Sequence, residues 1–425
     1  MLSKAMALNP LFSIGNTGRC SPKKSMKVLL ANKSVFRTST VEPLLGPHNV
    51  GSGTEKGDHL LEFMGHPAAW HDSVGGAAPS GRGEDLLSLN TFMRHLDNKR
   101  ETVREVSRLI AAEKPDIAHL HNPEHSNLPA MISPLRRAGV KVVLSLHDYK
   151  LLCPSQYMLG NGGLCSLCAG KKFWRAASHR CANKSLLQSL MLSATAYYQM
   201  ARKSYEKIDC FITPSRFMAD MLQKNRLSGS RVEVLPYCVD TQVHHPSLID
   251  EGYILFAGRL SRETGIDTLL RAHNQLGGTV GLRVVGAGPL YDELSRAYPK
   301  AEFWGAVSEK LLGNLIDRAG FVVVPSEWYE NCSPVMLRAM AAGKPLIGAN
   351  IGGIPEFIDN EKTGFLFETG CSLLLRQKME MLLADKKMRR VMGQAARCKA
   401  EQDFSVSSHK RRSLEIYQSL LDQEG

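Results

Sequence analysis

Short apolar runs alternate with stretches of helical periodicity along most of this chain. Val28 to Ala31 is apolar and ends at Asn32-Lys33, which fits a first buried strand. Arg100 to Ala112 carries Val103, Val106 and Ile110 at helical spacing, and Lys114-Pro115-Asp116 breaks it. Ile117 to Asn122 reads as a strand running into a loop, and Leu128 to Arg137 as a helix. Val140 to Leu146 is a β-branched strand that ends in His147-Asp148-Tyr149-Lys150. Cys210 to Thr213 and Val232 to Leu235 are further strands, the first leading into a helix through Pro214-Ser215-Arg216-Phe217. Strands alternating with helices predict a doubly wound parallel sheet of the α/β class.

The pattern then restarts. After a polar linker through Ser247, Tyr253 to Ala257 and Leu282 to Val285 read as strands, with Asp267 to Ala272 a helix between them. Phe303-Trp304-Gly305 follows another strand, Leu311 to Arg318 is helical, and Phe321 to Val324 is a buried strand closed by Pro325. Ser333 is a favourable N-cap and Pro334 a favourable first helical residue, while Gly343-Lys344-Pro345 ends that helix. Leu346 to Gly348 and Thr363 to Phe367 complete the strands, and helices fill the rest. The expected division is an extension over 1–25, one domain over 26–246, a second over 247–403 and a tail over 404–425.

Composition narrows the partners. The chain has 425 residues with a net charge of +12, so anionic company is expected: phosphates, acidic glycans or lipid headgroups. No basic-aromatic strand or known motif points to nucleic acid. No run approaches 18 uninterrupted apolar residues, which argues against a spanning helix. Ten cysteines are too few for a disulfide scaffold at this length, which with the absence of an apolar signal core suggests reduced thiols in a cytoplasm. The opening Met1 to Met26 lacks acidic residues and reads as a disordered extension or a transit-type leader. The Gly-, Pro- and His-rich residues after Glu42 show no clear periodicity.

Candidate chemistry lies beyond strand ends, where doubly wound sheets bind ligands. His121 and His147 fall there in the first domain. In the second, Gly286-Ala287-Gly288 permits a tight turn, and the helix opening after Ser333 offers N–H groups to phosphate. Glu330 precedes that helix and can accept hydrogen bonds from sugar hydroxyls, and Glu356 follows Gly352-Gly353 as a structural or rim acid. Cys153, Cys165, Cys168 and Cys181 could hold structural zinc or be ordinary thiols of a buried or mobile loop. Ser185 to Lys207 is amphipathic, with core packing and interfacial membrane contact both open to it. No Asp-x-Asp pair occurs that would clamp a metal–diphosphate.

Phe321 to Glu356 resembles the donor-site signature of the family 4 glycosyltransferases, which have the GT-B fold of two Rossmann-like domains facing a cleft. His119-Leu120-His121-Asn122 and the His147-Asp148-Tyr149-Lys150 phrase with Cys153-Pro154 resemble the same family. The resemblance covers roughly Val28 to Leu421. It implies transfer of a sugar from a nucleotide-diphosphate donor to a glycan or glycolipid, with retention and with no cofactor required. It also implies that His147 contacts the transferred sugar and that Glu330 is the first of two family glutamates. Gly258, Arg259, Thr264, Gly286, Gly288, Asn331, Cys332, Ser333 and Arg338 fall at donor positions, and Phe303, Trp304 and Gly305 lie toward the base. The tail is expected to cross back to the first domain. A role in cell-surface polysaccharide synthesis, in the cytoplasm or at the inner membrane face, follows from the same likeness. Three positions depart: no glycine pair near Thr38, Thr264 for a lysine, and Arg338 for the second glutamate. An Arg338 reaching the phosphates would replace the cation missing at Thr264. The alternative reading is an impaired relative that binds a nucleotide, a glycan or a partner protein.

Overall fold

The structure is a computed structural model, and it describes residues 26–32, 35–41, 89–121, 128–160, 163–203, 205–225, 230–277 and 280–422. The extension 1–25 and the aperiodic stretch 42–88 lie outside the described residues. The first lobe is built on strands β1 (Met26–Asn32), β2 (Val35–Val41), β3 (Ile117–His121) and β4 (Lys141–Ser145). A small hairpin, β5 (Leu159–Gly160) and β6 (Gly163–Leu164), precedes β7 (Cys210–Thr213) and β8 (Arg231–Val234). The sheet order is β2-β1-β3-β4-β7-β8, parallel except for the antiparallel β1–β2 pair.

Alternation along these strands separates two cores. Leu29, Ala118, Leu120, Val142, Leu144 and Phe211 face one side. Val28, Leu30, Ile117, Val143, Cys210 and Ile212 face the other. Successive side chains of a strand point to opposite faces, so near-continuous apolar runs are what a sheet covered on both sides requires.

The second lobe carries β9 (Ile254–Ala257), β10 (Leu282–Val285), β11 (Glu302–Gly305), β12 (Phe321–Val324), β13 (Leu346–Ala349) and β14 (Gly364–Phe367). Its order is β11-β10-β9-β12-β13-β14, all parallel. The direction of winding reverses between β9 and β12, which makes the edge beyond those two strands the natural crevice. Both lobes are α/β, as the alternating pattern predicts.

The lobes are tied by the last helix, Val406–Leu421. Its Leu414, Ile416, Tyr417 and Leu420 are buried against β1, β3, β4 and β7 in the first lobe's core. Burying four such side chains contributes about 1.5–3 kcal/mol apiece. The crossover itself is held where the Val239 N–H donates to the Phe404 carbonyl at 2.8 Å.

Two local expectations change. Where a glycine-rich loop would follow the first strand, the chain instead turns back as β2, an antiparallel edge strand. Ser185 to Lys207 is not one helix, although Ala196 and Met200 do pack on a small hydrophobic cluster of the lobe. The helix is Leu186–Ala201, a one-turn 3₁₀ segment follows over Tyr205–Lys207, and the residues buried by the helix are Ser189, Ser193 and Gln199.

Candidate active site

Loops from the carboxyl ends of β9, β10, β12 and β13 converge on one edge of the second sheet. The Glu327 N–H donates to the Glu263 carbonyl at 2.8 Å, joining the β12 loop to the β9 loop. Gly286 ends β10 with φ +135°, and a Cβ there would sit 1.9 Å from the Gly258 carbonyl oxygen. Only glycine allows that approach. The Leu260 N–H donates to the Ala287 carbonyl at 2.9 Å, completing the β9–β10 junction. Gly353 packs equally close: a Cβ would lie 2.1 Å from the Asn331 carbonyl oxygen and 2.9 Å from Ser215 Cβ. Its N–H donates to the Glu330 carbonyl at 2.6 Å.

Arg259 and Glu330 therefore leave adjacent parallel strands at the switch point. The Arg259 side chain is exposed, while Glu330 is half-buried. Burial pushes the Glu330 carboxyl up to about 7, although Trp328 and the Asn331 N–H hold it down in part.

Opposite them stand the strand ends of the first lobe. The His147 Nδ1 lies 2.7 Å from the Tyr237 hydroxyl and its Nε2 lies 3.3 Å from His121 Nδ1. Burial lowers His147 to about 4, so the ring is neutral at pH 7. Both ring nitrogens are engaged, but the contact to His121 is long and exchangeable for a sugar hydroxyl. Behind them His119 is fully buried between the Tyr417 hydroxyl, at 2.6 Å, and Ser145 Oγ, at 2.7 Å. A cavity of about 20 Å³ lies among His119, His121, His147, Tyr237 and His409. That is room for about one water.

The two edges meet through Asn331 and Glu356. Tyr149 donates its hydroxyl to Asn331 Oδ1 at 2.5 Å, and Ser215 Oγ lies 3.3 Å from the same oxygen. Asn331 Nδ2 donates to the His147 carbonyl at 3.4 Å. Glu356 accepts the Arg216 and Phe217 N–H groups, each at 2.8 Å. These belong to the first turn of the helix Arg216–Lys224, where a carboxylate satisfies orphan donors and the helix dipole. Tyr329 packs between Tyr149, edge-on at 6.3 Å, and Phe217, tilted at 4.9 Å.

Of the other candidate residues, Cys332 lies within this junction beside Tyr237 and Glu330, and Arg338 lies away from it. Arg338 is buried, and its guanidinium donates to Asp317 at 3.1 and 3.3 Å. Asp317 is in the last turn of the helix Glu309–Arg318, which ends at the start of β12, so the pair leans away from the binding edge. The structure does not bring Arg338 to the phosphate-binding loops. Thr264 donates its hydroxyl to the Ser261 carbonyl at 2.7 Å. Ser333 caps the helix Pro334–Ala341 by position, without a side-chain capping bond. Cys332 is buried and its thiol is raised well above the usual range by burial. On the edge strand β11, the Gly305 carbonyl accepts the Gly286 N–H at 2.8 Å, joining it to the glycine turn. Phe303 packs against Tyr291, and Trp304 donates to Glu302 at 3.3 Å on the strand's outer side.

The four cysteines neighbour one another, and burial first, then the other three thiols, pushes Cys168 up to about 12. Among the described residues no group of three or more His, Cys, Asp or Glu is disposed to hold a metal ion. The zinc expectation finds no fitting donor set here.

Tyr149, Ser215 and Tyr237 were not legible as site residues. Each follows a strand of the first lobe by a few positions, which is the signal available in the sequence.

The family model for glycosyl transferases group 1 matches residues 242–399, and that for glycosyltransferase family 4 matches residues 81–243. The chain is a glycosyltransferase of the GT-B type. This glycosyltransferase is 26% identical over 374 residues to the sulfoquinovosyl transferase SQD2 of Arabidopsis thaliana, covering 84% of this chain and 67% of that one. It is 29% identical over 214 residues to the lipopolysaccharide 1,2-N-acetylglucosaminetransferase of Salmonella typhimurium, covering 43% and 55%. The chain spans about half to two thirds of the length of the curated relatives it matches. Among solved structures it resembles a sucrose-phosphate synthase from Thermosynechococcus elongatus, with a TM-score of 0.58, 19% identity and coverage of 77% and 79%. It also resembles the Anabaena protein Alr3699/HepE in complex with UDP, with a TM-score of 0.55, 18% identity and coverage of 75% and 82%.

The glycine contacts give a direct test of the glycosyltransferase's interlobe junction. Gly353→Ala is expected to destabilise the protein by about 1–3 kcal/mol, because the nearest neighbour, the Asn331 carbonyl, is backbone and cannot yield cheaply. The Ala variant should also show faster amide exchange at Phe217, whose N–H bonds Glu356. Unchanged melting and exchange would contradict the close approach.

Proposed function

We propose that this glycosyltransferase moves a sugar from a nucleoside-diphosphate donor to a glycan or glycolipid acceptor with retention, in surface polysaccharide synthesis. The observation carrying the reading is the convergence of the Arg259 and Glu330 loops at the β9/β12 switch point, opposite His147. Arg259 grips the diphosphate, as a planar guanidinium can bind two phosphate oxygens at once. Backbone N–H groups beyond β12 share that charge, so leaving-group stabilisation is electrostatic. Glu330 accepts hydrogen bonds from the donor sugar, and His147, neutral and oriented by Tyr237, contacts its far side. We take the chain to act in the cytoplasm, with peripheral contact at the inner membrane face through the basic first lobe. The UDP complex of a structural neighbour makes UDP the first nucleotide to try.

A second reading, an impaired relative that binds without turnover, is favoured by one observation. Arg338 occupies the second glutamate's position and is committed to Asp317, while Thr264 supplies no cation. Thermal-shift titration with UDP, GDP and ADP, followed by donor turnover, separates the two. Arg259→Ala should weaken UDP binding about tenfold or more, the loss of one charged hydrogen-bonding group. Equal melting shifts for wild type and variant would remove Arg259 from the site. A shift with no turnover on any donor would favour the second reading.

A further inference from the structure

The helix Leu186–Ala201 packs Ala196 and Met200 on the small cluster of Cys168, Phe173 and Ala176, while most of its larger apolar side chains face outward. Its buried positions are polar and satisfied: Ser193 donates to the Phe173 carbonyl at 2.9 Å, Ser189 accepts the Ala182 N–H at 2.9 Å, and Gln199 accepts the Tyr205 hydroxyl at 2.7 Å. Its outer face is Leu186, Leu187, Leu190, Met191, Tyr197 and Tyr198, with Leu187 60% and Leu190 50% exposed. Trp174, 56% exposed, adjoins this face, its backbone N–H donating to the Tyr197 hydroxyl at 3.3 Å. Isolated exposed leucines are ordinary, but a contiguous apolar face of six large side chains on one helix marks a contact surface.

The charge around this face chooses the occupant. Between Lys150 and Tyr205 there are seven Lys and Arg residues and no Asp or Glu. Lys171, Lys172, Arg180, Lys184, Arg202 and Lys203 are exposed. Arg175 lies over the Trp174 ring at 5.5 Å and Arg202 over Tyr198 at 5.4 Å, so cations border the apolar surface itself. A two-fold dimer through this patch would set like charges against each other, since the same surface meets itself. An anionic bilayer instead takes leucines into its interface, aromatics at headgroup level and cations onto phosphate.

We propose that this face of the first lobe docks on a membrane surface containing anionic phospholipid, with the helix Leu186–Ala201 lying in the interface. The assignment rests on the exposed face. It deepens the transferase reading by bringing a lipid-linked acceptor to the lobe that carries His147.

The test is co-sedimentation of the full chain with vesicles of equal parts phosphatidylcholine and phosphatidylglycerol. Binding is expected, about tenfold weaker on phosphatidylcholine alone and weakened by salt. The double variant Leu187→Ser with Leu190→Ser should bind these vesicles about tenfold or more weakly. Lys171→Glu with Lys172→Glu should lose affinity and salt dependence together. Both variants should keep the UDP melting shift of the wild type, which shows that they fold. Wild type left in the supernatant, or serine variants that bind as well as wild type, would overturn the proposal. A dimer in analytical ultracentrifugation that the serine substitutions abolish would overturn it too, by assigning the face to a second copy. Vesicle binding without a UDP shift would retire the transferase reading and leave the docking surface standing.

Discussion

Glu330→Gln is expected to lower kcat/KM for donor turnover by about 10²–10³-fold while leaving UDP affinity within about threefold. A carboxylate that accepts two hydroxyl hydrogen bonds loses about 1.5–3 kcal/mol for each charged bond, and the amide can accept with only one of its two ends. In the proposed reading UDP is held by Arg259 and the loop backbones, which the substitution does not touch. The pH profile gives a second readout. Burial raises Glu330 to about 7, so the carboxylate forms only as the pH climbs through neutrality. Wild-type kcat/KM should therefore rise across an apparent pKa near 7, and the Gln variant should lack that limb. A Gln variant with wild-type turnover, or one that keeps the limb, would take Glu330 out of the mechanism.

The second large effect is acid lability of the first lobe. His119, His121 and His409 are buried, and desolvation is the leading cause that holds each below its ordinary value, His119 at about 3 and His409 at about 4. His119 sits between two neutral hydroxyls, and His409 Nδ1 is 2.8 Å from the Pro236 carbonyl with Arg412 nearby. The unfolded chain takes up protons at these rings near pH 6.5 while the folded chain does not. Their contribution is thus fully present above pH 6.5 and is lost as the pH falls toward 4. Each such ring costs about 1.36 kcal/mol per pH unit in that window. Counting only His119 and His409, going from pH 7 to 5 removes about 4 kcal/mol, a large share of the 5–15 kcal/mol typical of a domain. The melting temperature should fall by roughly 10 °C. His119→Gln should flatten that dependence by about one ring's worth. Melting that is level between pH 7 and 5 would mean that these rings are solvated.

Much of the fold could be read from the chain because its strands are short, apolar and closed by Gly, Pro or Asp. The strand Phe321–Val324 and the helix Pro334–Ala341 lie where periodicity and the Ser333-Pro334 signal set them. The helix Leu186–Ala201 shows the limit of periodicity. Its pattern gives an apolar face but cannot say which way that face turns, because Ser189, Ser193 and Gln199 find internal partners. The site divides along the same line. Glu330 and Arg259 stand out through local phrases. The clasp of Tyr149, Ser215 and Asn331 joins positions more than 100 residues apart, with nothing local to announce it. Arg338 could be seen as a departure, but its commitment to Asp317 depends on how two helices pack.

The helix Val406–Leu421 has a consequence for how the molecule is made. It closes the core under β1, β3, β4 and β7, with Tyr417 reaching His119. As the chain leaves the ribosome, the lobe whose first strand emerges earliest is the last to be sealed. The second lobe holds its own core between Val239 and Phe404 and is complete before that helix appears. During synthesis the half-built first lobe must therefore wait with one apolar sheet face uncovered, at about 5–20 residues per second.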